Sequence, residues 1–236
     1  MQFHPGKCQV IQITRNRTPI RHDYILHGHI LESVHSAKYL GVTLTSDLRW
    51  NQHIGNITQK ANRTLGFLRR NLQVKSPELK TTAYNTLVRP LVEYASPVWD
   101  PHTKTNIHKL EMVQRRAARY VLRKYNHTSS VGDMLDQLGW LTLQRRREMA
   151  RLVLLYKMRN GLIAINGEAY TTPISRPSRH VHQYGYQIPH SKAEFHSQSF
   201  FPRTIRQWNS LPFQIVAATT PDSFRSQLVS LYQNSN

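Results

Sequence analysis

Polar and apolar positions alternate up to residue 45 and then recur every three or four residues for most of the remaining chain. CQVIQI (8–13) alternates around Val10 in the manner of a strand. DYILHGHILE (23–32) reads as two short strands joined at His27-Gly28, a hairpin turn. AKYLGVTLT (37–45) reads as a further strand, and Gly41 within it predicts a bulge or the close approach of another backbone.

From Asp47 the period lengthens. Trp50, Ile54, Ile57, Ala61, Leu65, Leu68 and Leu72 step by threes and fours along one face of a helix. Ser76-Pro77-Glu78 then supplies a hydroxyl cap, a proline at the first helical position and an acid against the helix dipole. The helix it opens carries Leu79, Ala83, Leu87, Leu91 and Ala95, with a kink expected at Pro90. Ile107, Leu110, Val113, Ala117, Tyr120 and Val121 predict another helix, and 131–138 a short one ended by Gly139 beside Trp140. Thr142 caps a helix expected from 143 to 160.

Residues 162–199, rich in Pro, His, Ser and Arg, lack any period and read as a loop-rich linker. The compact aromatic string SFFPRTIRQWNSLP follows, with Phe200, Phe201 and Trp208 expected to form a small core. A last helix starts at Thr220-Pro221-Asp222. The pattern defines an α+β protein: a small antiparallel β segment at residues 1–46, a mainly α-helical body at 47–161, the linker, and an aromatic and helical segment at 200–236.

Charge changes the picture. Lys and Arg total 32 against 13 Asp and Glu, a net charge of +19 that points to a polyanionic partner, nucleic acid before membrane. The longest apolar run, Leu152 to Tyr156, is far too short to span a bilayer. The opening MQFHPGKCQV has no apolar stretch of signal-peptide length, so an intracellular protein is expected. The positive residues cluster on the helices: Lys60, Arg63, Arg69 and Arg70; Arg115, Arg116, Arg119, Arg123 and Lys124; Arg145, Arg146 and Arg147, followed by Arg151. Faces of one sign repel themselves, so phosphate contact suits them better than plain solvation. Arginine is the commoner cation there, and its fork matches phosphate oxygens. Such contacts position a nucleic acid without reading its sequence.

Other chemistry finds little support. Cys8 is the only cysteine, which excludes an internal disulfide and a cysteine-based zinc site. The histidines crowding one loop (His180, His182, His190, His196) and flanking a turn (His27, His29) lack a zinc-binding spacing, so no metal is expected. No phosphate loop or nucleophile elbow occurs. The aspartates are Asp23, Asp47, Asp100, Asp133, Asp136 and Asp222, with no two acids adjacent. Asp100 reads as a turn-former before Pro101, and Asp133 and Asp136 as charge at a helix N-terminus. Two-metal phosphoryl transfer needs carboxylates that converge.

GKCQVIQI, a hairpin, KYLGVTLTSDLRWNQHI, YNTLVRPLVEYASPVWDP, LEMVQRRAARYVL and SFFPRTIRQWNSLP occur in this order between residues 5 and 235. Together they resemble the carboxy-terminal part of reverse transcriptases from non-LTR retrotransposons of the jockey-like and chicken-repeat type. The resemblance implies that PGKC is the last palm motif, with Lys7 matching the lysine proposed to protonate the leaving pyrophosphate. It implies that Lys38, Tyr39, Leu40, Gly41 and Val42 form the primer-grip hairpin, and that the helices from Trp50 onward are thumb and connecting region. In such enzymes an Asp-Asp loop holding two Mg²⁺ lies upstream of the Lys-Cys strand, so this chain is expected to begin after it. The expected protein is then a truncated fragment that grips RNA or an RNA–DNA hybrid, needs no cofactor of its own, and is inactive as a polymerase alone. Its partner would be the missing palm and fingers, and the nucleus its place, a placement to which the run at Arg145 also points. The alternatives are a domesticated basic nucleic-acid-binding module unconnected with polymerisation, and a protein-interaction scaffold.

Overall fold

In the computed structural model, which describes residues 3–14, 16, 18, 20, 22–126, 129–175 and 181–234, the alternation at the amino end becomes three separate two-stranded ribbons. β1 (Gln9–Val10) pairs with β4 (Glu32–Ser33) in parallel, which corrects the all-antiparallel expectation. Parallel strands cannot be joined by a tight turn, and the hairpin of β2 (Ile25–Leu26) and β3 (His29–Ile30) lies between them. Its turn residues His27 and Gly28 have φ of 50° and 78°, the left-handed pair that a two-residue hairpin demands. The longest ribbon joins β5 (Ser36–Tyr39) to β6 (Val42–Thr45). Residues 37–45 are therefore a hairpin rather than one strand, and Gly41 (φ 86°) is a turn residue, not a bulge. What comes close to it is a side chain: a Cβ on Gly41 would lie 3.1 Å from the Tyr94 ring, whose hydroxyl donates to Leu40 O at 3.0 Å.

α1 (Asn51–Asn71) buries Ile54, Ala61, Leu65 and Leu68, as its spacing predicts. α2 (Pro77–Ala83) starts where expected, with the Ser76 hydroxyl accepting from Leu79 N at 3.2 Å. Pro90 has no N–H to donate and crowds the preceding turn. The helix answers by widening over Tyr84–Val88 and tightening over Arg89–Val92. Its buried face is Lys80, Tyr84, Val88 and Val92, whereas Leu79 is 57% exposed and Leu87 51%. The expected stripe was thus displaced, and a lysine occupies one of its inner positions. After α3 (Ser96–Trp99), α4 (Lys104–Leu122) packs along α1 and ends at Arg123 in the left-handed region, φ 55°. α5 (Val131–Gln137) precedes Gly139, and α6 (Leu143–Arg159) begins where the Thr142 hydroxyl accepts from Arg145 N.

Two cores result. The first gathers Ile54, Leu65, Tyr84, Trp99, Leu110 and Leu143, with Tyr84 stacked on Trp140 at 4.5 Å. The second is built on Leu152, Leu155, Tyr156, Trp208 and Phe224 and closes α8 (Phe200–Asn209), α9 (Phe213–Val216) and α10 (Pro221–Gln233) onto α6, while α7 (Glu194–Ser197), with no buried residue, leans on α8. Apart from α7 and a 3-10 turn at Gly167–Ala169, the described parts of 162–199 are irregular yet tied to it. Tyr184 O accepts from Trp208 Nε1 at 2.9 Å, and Tyr186 exchanges two hydrogen bonds with Asn209. Among the described residues no helix is long and apolar enough to cross a membrane.

His53 fastens the longest ribbon to α1. The ring is 2% exposed and lies edge-on to Trp99, and Nδ1 accepts from Thr43 N at 3.2 Å. Burial pushes its pKa below the usual histidine value of about 6.5, so the folded ring resists protonation. Below about pH 6.5 the unfolded chain takes up a proton that the folded chain resists. His53 therefore contributes stability that is present above pH 6.5 and lost as pH falls through the lowered folded pKa. His53→Asn, which keeps an acceptor near Nδ1 and cannot titrate, is expected to show a smaller loss of urea stability between pH 7 and pH 5 than the parent. Equal losses in the two proteins would contradict this.

Candidate nucleic-acid interface

The run at 145–147 does not form an open basic face. Arg145 pairs with Glu148 at 3.2 Å and lies 4.7 Å over the Tyr232 ring. Arg146 grips Glu93 with two nitrogens, Nε on Oε1 and Nη2 on Oε2 at 2.9 Å. Arg147 is 0% exposed, and its Nε donates to Asp100 Oδ1 at 2.8 Å. Arg151 Nε stands 2.8 Å from Asp100 Oδ2, and Arg203 Nη1 lies 3.3 Å from the same oxygen and donates to Asp100 O. Asp100 is thus the hub of a buried ion cluster that joins α3, α6 and α8, which corrects its reading as a turn-former. Glu111 accepts from Leu143 N and Gln144 N at the start of α6. Burial raises its pKa, opposed by the Arg147 charge and those hydrogen bonds. Arg147 consequently has no solvent-facing guanidinium with which to meet a phosphate, and Arg145 and Arg146 already hold carboxylates.

α1 and α4 differ. Lys60, Arg63, Arg69, Arg70, Arg116, Arg123 and Lys124 are exposed, and Arg115 and Arg119 half-buried. Among the described residues none of these nine takes part in an ion pair. Two of them rest on neutral amides: Arg116 on Asn62 Oδ1 at 3.0 Å and Lys124 on Gln137 Oε1 at 2.8 Å. The carboxyl ends of the two helices meet where the Tyr120 hydroxyl bonds to Leu68 O and Leu72 O, at 3.3 and 2.9 Å. A pocket of about 370 Å³ opens there, lined by Arg69, Leu72, Gln73, Lys80, Tyr120, Arg123 and Tyr125.

The other expected site residues are spread over the amino-terminal ribbons. Lys7 is exposed in the turn Pro5–Lys7. Lys38, Tyr39, Leu40 and Gly41 are exposed at the tip of the β5–β6 hairpin, and Val42 is buried at its root. A second hollow of about 520 Å³ is lined by His4, Pro5, Gly6, Cys8, Gln9, His29, Ile30 and Glu32. Among the described residues no group of three or more His, Cys, Asp or Glu side chains is placed to hold a metal ion. His180 lies outside the described residues. His182 Nε2 bonds to Trp208 O, and His196 Nδ1 to Ser191 Oγ.

In sequence the chain is similar to proteins of mobile elements in Drosophila melanogaster. It is 30% identical over 107 residues to the probable RNA-directed DNA polymerase from transposon BS, which covers 44% of this chain and 12% of that protein. It is 28% identical over 125 residues to the RNA-directed DNA polymerase from mobile element jockey, 51% of this chain and 13% of that one. It is 33% identical over 75 residues to the putative 115 kDa protein in type-1 retrotransposable element R1DM, 30% of this chain and 7% of that one. No family model matches the chain, and no solved structure does. Two of these relatives are named as RNA-directed DNA polymerases and the third as a protein of a retrotransposable element. The chain is thus related to a segment of the polymerases of non-LTR retrotransposons, and the matches span at most 13% of those proteins' lengths.

Proposed function

We propose that this chain is the helical grip of a non-LTR retrotransposon RNA-directed DNA polymerase, holding RNA or an RNA–DNA hybrid by its phosphates and acting inside the cell, in the nucleus. The observation that carries the reading is the set of nine cations on α1, α4 and the two residues after α4, none of which forms an ion pair among the described residues. In this reading the β5–β6 hairpin lies toward the primer end, Lys7 keeps the position of the palm-motif lysine, and the Mg²⁺ pair is held by acids of a polymerase other than those described here. The exposed Ile25, Ile30, Tyr39 and Leu40 on the ribbons give the rest of such a polymerase an apolar surface to cover.

The test is a salt titration of binding to an RNA–DNA hybrid of mixed sequence. Each phosphate contact adds about 0.9 to the slope of log affinity against log salt. Changing Arg63, Arg70, Arg116 and Lys124 together to Gln is expected to lower the slope by about 3 to 4. An unchanged slope would remove α1 and α4 from the interface. Primer extension on an RNA template with Mg²⁺ is expected to give no product from this chain alone, because no converging carboxylate set is described in it. Product that required Mg²⁺ would overturn that.

A further inference from the structure

The pocket between the ends of α1, α2 and α4 holds a lysine in an unusual place. Lys80 is 2% exposed, yet no carboxylate meets it; among the described residues its ammonium has one acceptor, Tyr120 O at 3.4 Å, and lies 5.0 Å over the Tyr120 ring. An ammonium carries three donors, so the site leaves Lys80 under-satisfied. Arg123 and Arg69 line the same hollow, the latter 5.9 Å over the Tyr125 ring, and no acid lines it. The two helix ends nearby, α1 and α4, supply about half a negative charge each. Against three cations this leaves a surplus of about two positive charges, in a hollow of about 370 Å³ that opens to solvent beside two tyrosine rings. Burial and the neighbouring Arg123 both press the Lys80 pKa downward, which a bound anion would relieve.

The geometry points to a site for one phosphate dianion, the phosphate monoester of a nucleic-acid strand end or of a mononucleotide, with Lys80 beneath it, Arg69 and Arg123 at its sides and the Tyr125 ring beside the attached sugar or base. A monoester near neutral pH carries close to two negative charges, which matches the surplus, whereas a backbone diester carries one. The proposal deepens the phosphate-gripping function above and rests on it for the strand-end source.

Two measurements test it. In the first, inorganic phosphate is added against chloride at matched ionic strength and the melting temperature followed; phosphate is expected to raise it in the parent and not in Lys80→Met. Arg123→Asn, whose side chain suits the left-handed backbone there, is the second variant and is also expected to lose the shift. In the second, hybrids that differ only in a 5′-phosphate or 5′-hydroxyl are compared with a nucleoside monophosphate as competitor. The 5′-phosphorylated hybrid is expected to bind about tenfold tighter, with the ratio falling to one in both variants. Displacement of the phosphorylated hybrid by micromolar monophosphate would assign the site to the free nucleotide; preference without displacement assigns it to the strand end. Equal binding of the two hybrids, with no phosphate shift, overturns the pocket and leaves the broader grip standing. Failure of either hybrid to bind overturns the grip, and the phosphate shift then judges the pocket by itself.

Discussion

Asp100→Ala is expected to destabilise the protein by about 3–5 kcal/mol, a large fraction of the stability of an ordinary domain. Removal of one partner from a buried ion cluster leaves the remaining charges uncompensated, and here the remainder is Arg147, Arg151 and Arg203. Asp100 is the only acid in ion-pair contact with either of the first two among the described residues. Arg151 keeps a bond to Thr204 Oγ1 at 3.3 Å, but Arg147 Nη1 and Nη2 and Arg151 Nη2 are already buried without a hydrogen-bond partner. Burial also lowers the Arg151 pKa, and the Asp100 charge is the main influence that opposes it. Asp100→Asn retains the shape but not the charge and is expected to fall between wild type and alanine. Arg203 sits at the cluster's rim, with more of its side chain reached by water. Arg203→Gln is therefore expected to cost less than either. Urea unfolding followed by far-UV circular dichroism checks the order, and a shift of under about 0.5 kcal/mol for Asp100→Ala, the size of an ordinary surface change, would show that the cluster does not hold the fold.

How such a cluster escapes sequence reading is instructive. The helix starts were legible because they depend on neighbours: the Ser76, Ser130, Thr142 and Thr220 side chains each accept from the backbone N–H three residues on. The extents of α1 and α4 follow from apolar spacing, and that of α6 from its Thr142 cap. The fate of Arg146 and Arg147 does not, since Glu93 and Asp100 lie 53 and 47 residues away in sequence. One signal of it is present in the sequence. Leu143, Arg147, Arg151 and Leu155 step by four, so two arginines interrupt an apolar stripe of α6, and all four are buried. A charge in that position needs an internal partner. Lys80 in line with Tyr84, Val88 and Val92 is the same signal on α2, and there no acid answers it. The displaced face of α2 was less accessible, because a kink at Pro90 could be foreseen but not the widened turn that takes it up. Among the hairpins, His27-Gly28 was legible as a turn, whereas the apolar run on both sides of Leu40-Gly41 hid that turn from the alternation pattern and only the resemblance implied it.

The two cores make a second large effect expected, and a local one. Trp208 is wholly buried, 5.7 Å from the Phe224 ring and 6.4 Å from that of Tyr186, and its indole N–H is satisfied by Tyr184 O. Trp208→Ala removes a ring's worth of packing and leaves that carbonyl without its donor, at a cost of about 3–5 kcal/mol. α6 belongs to both cores: Leu143 lies in the first, Leu152 and Leu155 in the second, and the Asp100 cluster fastens its middle. Loss of Trp208 is therefore expected to free α8 to α10 while α1, α2 and α4 remain packed on Trp99 and Leu110. Hydrogen exchange would show faster exchange in 184–233 and in the carboxyl half of α6, with protection kept in α1 and α4. Equal loss in every helix would mean that the chain unfolds as a single cooperative unit. If the loss is local, the phosphate pocket should outlast it, because Leu72 and Tyr120 at its wall pack in the first core.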